Sequence, residues 1–239
     1  MLLDRYYEIS DSSDVETLRS RLSNFSGEME FDYVSVTMVI DSVMPNGRPS
    51  FSTLSNAPDA YDSVYQDQAS SLRDPVLKRL KVLSVPFTYS QKTYAAEGAG
   101  DLWEEQAPYG FKSGIAVALH LPNSRHFLLG VDRDADLPTD VARLTRLMAD
   151  LQLLAVHAQA ASERLLSPAV GTSAPPQLNE REIEILKWTM EGKSAWTVGQ
   201  LLSISHHTVN FHLRSVFKKL GASSKHQAVL KAISFGLLK

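Results

Sequence analysis

Two residues near the C-terminal end of this chain have the type and spacing of a recognition pair. Asn210 and Arg214 stand four residues apart within HHTVNFHLRSVFKKL, and on a helix that spacing puts both side chains on one face. Arginine presents a fork of donors that fits O6 and N7 of guanine. Asparagine offers the donor and acceptor that fit adenine, and both edges are displayed in the major groove of DNA. His206, His207, Phe211 and Lys218 fall nearby. Lys193, Thr208, Lys218 and Lys219 have the chemistry of phosphate contacts, which set position without reading sequence. The plainer reading of the same residues is a basic, solvated helix face.

Catalytic arrangements are harder to find. The chain has no cysteine, which excludes disulfides, thiol catalysis and cysteine metal sites. His120, His126 and His157 are scattered without HxH or HExxH spacing, and no GxSxG elbow occurs. An activated nucleophile or a metal-bound water therefore has no obvious source. Asp41 follows the apolar run VSVTMVI, but no acidic pair precedes it as a phosphorylated receiver would require. The expectation is a binding protein with neither metal nor cofactor, not an enzyme.

The elements that position the recognition pair can be read from their caps. Asn179 precedes a helix and Glu182 stands three residues on, a capping box. Ile183, Leu186 and Met190 supply the inner stripe of that helix, and Gly192 ends it. Ser194 caps a second helix through Val198, Leu201 and Leu202. The tight Ser203-Ile204-Ser205 follows, with Ser205 capping a third helix whose Val209, Leu213, Val216 and Leu220 recur at helical spacing. A fourth helix closes the segment. A helix, a short turn and a second helix with polar outward positions form the arrangement that enters a major groove.

Upstream, the chain has a different character. Of its 239 residues, 24 are Lys or Arg and 27 are Asp or Glu. From Pro176 onward there are nine basic and four acidic residues, leaving fifteen and 23 before it. Only the C-terminal part thus suits a polyanion. The proline-rich, small and polar stretch 167–176 reads as a linker between domains at 1–166 and 177–239. Before it, Ser13 to Met29 is helical by its Leu18, Leu22 and Phe25, and Tyr33 to Ile40 is a buried strand. A polar helical stretch after Pro58 carries Tyr61 and Tyr65. A second follows Asp74-Pro75, with Val76, Leu80 and Val82, Asp74 standing in capping position. Strands over 114–121 and 127–131 form a hairpin about Pro122 to Arg125. Asp140 to Leu166 is a long amphipathic helix on Leu144, Leu147, Met148, Leu151, Leu154 and Ala158. It suits a homodimer interface as well as a core. The fold class expected is α+β, an N-terminal α/β/α sandwich with an antiparallel sheet and a C-terminal all-α four-helix domain. The start MLLDRYYEIS lacks a secretory signal, and no run approaches the roughly 18 apolar residues of a membrane span. A cytoplasmic protein with no membrane partner is expected.

These motifs also carry a family resemblance. NEREIEILKWTMEGKSAWTVGQLLSISHHTVNFHLRSVFKKL resembles the LuxR-type helix-turn-helix, with Glu182, Leu186 and Gly192 at family positions, then Ile204-Ser205, Thr208-Val209, His212 and Lys219-Leu220. Thr197 and Val198 depart from the usual Glu and Ile. PDAYDSVYQDQASSLRDPV is similar to the autoinducer-binding domain of quorum-sensing LuxR-type regulators, where a Trp, a Tyr four residues on and an Asp-Pro nine residues later recur. The matching positions are Tyr61, Tyr65, Asp74 and Pro75. Pro86 to Ser90 falls where relatives carry a second Trp, here Tyr89, and Leu102-Trp103 and Gly110 to Gly114 also match.

The resemblance implies a bacterial, dimeric, DNA-binding transcriptional regulator that responds to a small amphiphile such as an N-acyl homoserine lactone and reads an inverted-repeat promoter site. It implies that Asp74 accepts the ligand amide N–H and Tyr65 donates to its carbonyl. It also implies that Tyr61, Pro75, Phe87, Tyr89, Trp103 and Gly114 are ligand-binding, with Trp103 either covering the head group or anchoring the core, and that Ser35, Thr37 and Val39 form an inward strand face. Leu128 falls near a position where relatives carry Ser or Thr. Tyrosine replaces tryptophan at 61 and 89, so any hydroxyl donor there comes from a different place than an indole N–H, and it can also accept. A ligand-independent dimeric regulator, or a sensor of a non-lactone signal, are the alternatives.

Overall fold

A computed structural model describes residues 2–41, 49–58, 61, 73–166 and 177–238. Tyr65, most of the stretch after Pro58 and the expected linker 167–176 lie outside these residues. The chain falls into two compact units, the first drawn from residues 1–168 and the second containing all of 169–239.

The first unit opens with two helices, α1 (Leu2–Ser10) and α2 (Val15–Glu28). Asp14 caps α2 by accepting from the Thr17 N–H, which satisfies one of the donors a helix start leaves open. Strands β1 (Tyr33–Ile40) and β2 (Ser50–Ser55) follow, then a short helix α3 (Pro75–Leu80), strand β3 (Phe87–Ser90), and helices α4 (Gln91–Ala96) and α5 (Gly100–Gln106). Strands β4 (Ser113–Leu121) and β5 (Arg125–Arg133) form the hairpin, and α6 (Val141–Leu165) ends the unit. The hairpin turn places Asn123 and Ser124 at φ 63° and 54°, the left-handed pair that a two-residue turn needs to match strand twist.

The five strands lie in the order β2-β1-β5-β4-β3, with β1–β5, β5–β4 and β4–β3 antiparallel. Strand alternation sends Val34, Val36, Met38, Ile115, Val117, Phe127, Leu129 and Val131 to one face, where they pack with α1, α2 and α6 in the main core. The opposite face carries Tyr89, Ala116, Ala118 and Leu128 against α3, α4 and α5. The result is the expected α+β sandwich, with helices on both faces.

β5 runs two residues further at each end than its apolar core predicts, which brings Asp132 into the sheet opposite Gly114 and Tyr33. β2, absent from the expectations, is mostly polar and lies at a sheet edge, so it lacks the hydrophobic alternation that marks a half-buried strand. The helix after Asp74 ends at Leu80, short of the expected Val82, which is exposed.

The second unit holds α7 (Glu180–Met190), α8 (Ala195–Leu201), α9 (His206–Leu220) and α10 (Lys225–Ser234). Asn179, Ser194, Ser205 and Ser224 each cap the helix that follows. Val209, Leu213, Val216 and Leu220 are buried as their spacing requires. On α7 the buried stripe is Glu182, Ile185 and Leu186. Met190, expected inside, is exposed, as is Leu201 on α8. Both sit in the last turn of their helices, where the stripe has rotated off the core.

Candidate functional site

The helix-covered face opposite the main core has an unusual floor. Gly114, Ala116 and Ala118 on β4 and Gly130 on β5 keep the middle of the sheet low; Leu128 and Asp132 flank Gly130 on its strand, and Ser35, Thr37 and Val39 lie on the neighbouring β1. Gly114 is needed for a steric reason. A Cβ there would stand 2.4 Å from Tyr89 Cζ and Oη and 2.4 Å from the Val131 carbonyl oxygen, so the tyrosine lies directly across it. Ser35 Oγ lies 3.3 Å from where a Cβ on Gly130 would be. Thr37 shares a hydroxyl contact of 3.0 Å with Thr53 of β2.

Polar groups gather beside this floor. Asp74, 1% exposed, caps α3 by accepting at Oδ1 from the Val76 and Leu77 N–H groups at 2.7 and 3.0 Å. Its Oδ2 accepts from the Tyr94 hydroxyl at 3.2 Å. Pro75, buried behind it, starts the helix, where its missing N–H costs nothing. Burial, with the Asp74 charge alongside, pushes the Tyr94 phenol well above its ordinary range. From β3, Tyr89 donates to Asp132 Oδ1 at 2.6 Å, and both groups are buried. Burial pushes the Asp132 carboxyl up to about 7; the Tyr89 bond opposes that and the nearby Asp74 charge adds to it. Tyr89 is itself raised, by burial and then by Asp132.

An aromatic stack closes one end. Tyr61 lies on Phe111 at 3.9 Å between centroids and 14° between planes, and Phe111 on Tyr33 at 4.6 Å and 14°. The Tyr61 hydroxyl donates to Gln106 Oε1 at 3.4 Å. Trp103, half-buried, gives its indole N–H to the Lys112 carbonyl at 3.1 Å, so that donor is engaged with backbone. Phe87 is half-buried beneath the Arg79 guanidinium at 5.8 Å.

Of the expected pocket residues, the structure thus brings Tyr61, Asp74, Pro75, Tyr89, Trp103, Gly114 and Leu128 to one side of the sheet, with Ser35, Thr37 and Val39 on the strand beyond. Tyr94, Gln106, Gly130 and Asp132 were not foreseen. Asp132 had a signal: it continues the two-residue alternation Leu128, Gly130, Asp132, hidden by ending the strand at Val131.

In the second unit, His206, His207, Phe211, Arg214 and Lys218 are exposed on α9, and Asn210 and Thr208 are half-exposed. Their spacing of three and four keeps them on the side away from Val209, Leu213 and Val216. Thr208 pairs its hydroxyl with Ser205 at 2.8 Å, at the helix start. Lys193 is exposed just ahead of α8. Lys219, taken from sequence as a phosphate contact, has another partner: its Nζ lies 2.7 Å from Glu182 Oε2. The close approach of α8 to the following turn depends on Gly199, where a Cβ would come within 2.7 Å of the Ile204 carbonyl oxygen. Among the described residues no group of three or more His, Asp or Glu could hold a metal ion, and no helix is long and apolar enough to cross a membrane.

Comparison with known proteins agrees with this two-part architecture. Residues 14–162 match the family model described as autoinducer binding domain, and residues 176–232 match that of bacterial regulatory proteins, luxR family. The transcriptional activator protein SolR of Ralstonia nicotianae is 31% identical over 237 residues, 98% of each chain. The regulatory protein SdiA of Escherichia coli is 32% identical over 213 residues, 88% of this chain and 85% of SdiA. A solved structure of SdiA in complex with octanoyl-rac-glycerol superimposes with a TM-score of 0.80 at 27% identity, covering 99% of this chain and 94% of that one.

Proposed function

The chain belongs to the LuxR family of quorum-sensing transcriptional regulators with an autoinducer-binding domain, and from that premise we propose that it is a cytoplasmic homodimer that takes a small acyl amphiphile between its sheet and α3–α5 and reads an inverted-repeat promoter site through α9. The family regulates transcription and is not enzymatic. DNA is the output and a small molecule the input.

One observation carries the ligand reading: a sheet face floored by glycine and alanine, with Asp74, Tyr94, Tyr89 and Asp132 buried at one end. A core packed for stability alone has little use for two buried carboxyls, since burying a charge is costly unless it is well paired. A site that must orient a polar head while holding an acyl chain has reason to keep them. An N-acyl homoserine lactone fits the Asp74 role through its amide N–H, and the octanoyl-rac-glycerol bound by SdiA makes a glycerol ester an equally serious occupant.

Dimerisation has its own support. Leu3 and Tyr7 of α1 and Leu153 and Val156 of α6 are all exposed, while Tyr7 packs edge-on against His157 of α6 at 5.4 Å. Exposed apolar residues on two packed helices are of the sort a second copy covers. A symmetric pair of readers also doubles a half-site too small for useful specificity alone.

The test is mass spectrometry of small molecules extracted from protein expressed with and without candidate acyl ligands, combined with light scattering and DNA titration. Recovery of an acyl amphiphile from a dimer that binds an inverted repeat more tightly than a half-site agrees with the proposal. Stable, ligand-free protein that binds DNA with unchanged affinity would favour the ligand-independent alternative.

A further inference from the structure

The connection between α3 and β3 holds apolar side chains out in water. Val82, Leu83 and Val85 are 75%, 41% and 69% exposed, with an exposed Ser84 among them. Single exposed apolar residues are ordinary on a protein surface, but a run of large ones is not. The backbone fixes them there: the Val82 and Leu83 N–H groups both donate to the Arg79 carbonyl, at 3.0 and 2.9 Å. On the other side Pro86 leads into β3, where Phe87 pairs with Ala116. The tip is therefore anchored at both ends.

Its charge is one-sided. Lys78, Arg79 and Lys81 come just before the tip, and among the described residues none of the three forms an ion pair. The Arg79 guanidinium lies 5.8 Å from the centre of the Phe87 ring, which keeps one of these charges at the base of the loop. From Pro75 to Ala96 the chain has four basic residues and no acidic one, although the residues before Pro176 include 15 basic and 23 acidic.

Each class of partner would use these features differently. A phosphate backbone engages the cations and leaves the aliphatic side chains in water. Protein interfaces draw most of their energy from Trp, Tyr and Arg, with Val, Leu and Ser under-represented and Lys depleted. An anionic bilayer takes both: aliphatic side chains enter the acyl boundary while Lys and Arg meet the head groups. No helix among the described residues is long and apolar enough to cross a membrane, and docking on its surface needs none.

We propose that residues 78–85 form an interfacial anchor by which this chain docks reversibly on an anionic lipid bilayer. Val82, Leu83 and Val85 insert, and Lys78, Arg79 and Lys81 stay at the level of the head groups. The anchor lies between two members of the buried polar cluster, since Asp74 caps the helix before it and Tyr89 stands on the strand after it. An acyl amphiphile concentrates in a bilayer, so docking would bring the candidate ligand site to the ligand's own reservoir. The anchor itself does not depend on which amphiphile the unit takes.

The test is co-sedimentation of the full chain with vesicles of equal parts phosphatidylcholine and phosphatidylglycerol, and with vesicles of phosphatidylcholine alone. The wild type is expected to partition onto the anionic vesicles, less so as salt is added, and hardly onto the neutral ones. Val82→Ser combined with Val85→Ser should lower that partitioning by roughly tenfold or more, because the inserted tip loses apolar surface. Lys78→Ala and Lys81→Ala should each lower it by about fivefold at low ionic strength. Val141→Ser, an equally exposed valine on α6 across the sheet, should have no effect. All these side chains are exposed, and circular dichroism checks that the variants fold. The second unit is itself basic, so equal partitioning of the wild type and the double serine variant assigns the attraction to that unit and overturns the anchor. A wild type that sediments with neither vesicle overturns it too. So does loss of self-association in the double serine variant by light scattering, which would make the loop a contact between copies.

Discussion

Glu182 and Lys219, 37 residues apart in the chain, meet at 2.7 Å between Oε2 and Nζ inside the DNA-reading unit. The carboxylate is 2% exposed and also accepts from the Ser215 hydroxyl at 2.6 Å and the Asn179 N–H at 2.9 Å. It therefore closes the capping box of α7 and ties that helix to α9 with the same group. Burial opposes its ionisation, but the bonds from Lys219, Ser215 and Asn179 outweigh it and hold the carboxyl below its ordinary range. Two residues of the recognised family frame thus have an architectural reason to be there.

Lys218 and Lys219, adjacent in sequence, should accordingly behave in opposite ways. Lys219→Ala is expected to destabilise the second unit by about 1–2 kcal/mol, because it strips a partner from a buried carboxylate while others remain. Lys218→Ala should leave the melting temperature nearly unchanged, weaken binding to all DNA sequences alike, and lower the salt dependence by about one counterion. Thermal melts and DNA titrations at several salt concentrations check both. The reverse assignment of effects would refute the division.

Arg214 is exposed on α9, one turn from Asn210. Arg214→Ala should cost about 1–3 kcal/mol in binding to a specific site, the scale of one bidentate base contact, and relax the preference at a single position. Ligand-induced stabilisation of the first unit should be untouched. Competition binding with a set of single-base operator variants reads the outcome, and an undiminished sequence preference would remove Arg214 from base reading.

Helix α9 was legible in the sequence because its signals are local. A Ser cap at 205, apolar residues at 209, 213, 216 and 220, and a glycine at 221 in the left-handed region all lie within one helix. The two layers of the sandwich were legible for a similar reason, through β-branched runs and one long amphipathic helix. The polar cluster on the helix-covered face of the sheet was not, because Asp74, Tyr94, Tyr89 and Asp132 come from four separate elements. Asp74 is visible as a cap ahead of proline. Nothing local tells that Tyr94, twenty residues on, donates to it, or that Asp132 receives Tyr89 from 43 residues away. The edge strand β2 was missed because its polar pattern carries no signal of burial. That Lys219 pairs with Glu182 was not legible either, because a lysine on a basic helix looks the same whether or not a buried glutamate on another helix lies within its reach.

Two glycines are irreplaceable for different reasons, and alanine distinguishes them. Gly199→Ala drives a methyl to within 2.7 Å of the Ile204 carbonyl oxygen, and backbone cannot step aside as a flexible side chain can. Overpacking of this kind costs about 1–3 kcal/mol, and the change should loosen the helix-turn-helix and weaken DNA binding. Gly114→Ala collides with Tyr89 and with the Val131 carbonyl oxygen at 2.4 Å, so it should break the Tyr89–Asp132 pair and lower ligand affinity. Hydrogen exchange resolved by segment separates the two effects. Equal loss of protection in both units on either change would contradict their local origin.

Asp132 should leave a signature in the pH dependence of stability that is opposite to that of Glu182. Its folded pKa of about 7 lies above its ordinary value of 3.8, so between those values the native state binds a proton that the unfolded chain has released. Stability from this group is therefore full below about pH 4 and declines as pH rises toward 7, by as much as about 4 kcal/mol. Glu182, whose folded pKa is depressed, contributes above its unfolded range and loses that contribution as pH falls through its folded value. Asp132→Asn carries no titrating proton and should flatten the decline between about pH 4 and 7 while sparing the acid limb. Denaturant melts of the ligand-free wild type and the variant across this range provide the measurement. Parallel curves would mean that the Asp132 carboxyl is ionised in the native state, with Tyr89 and solvent satisfying it well enough to offset burial.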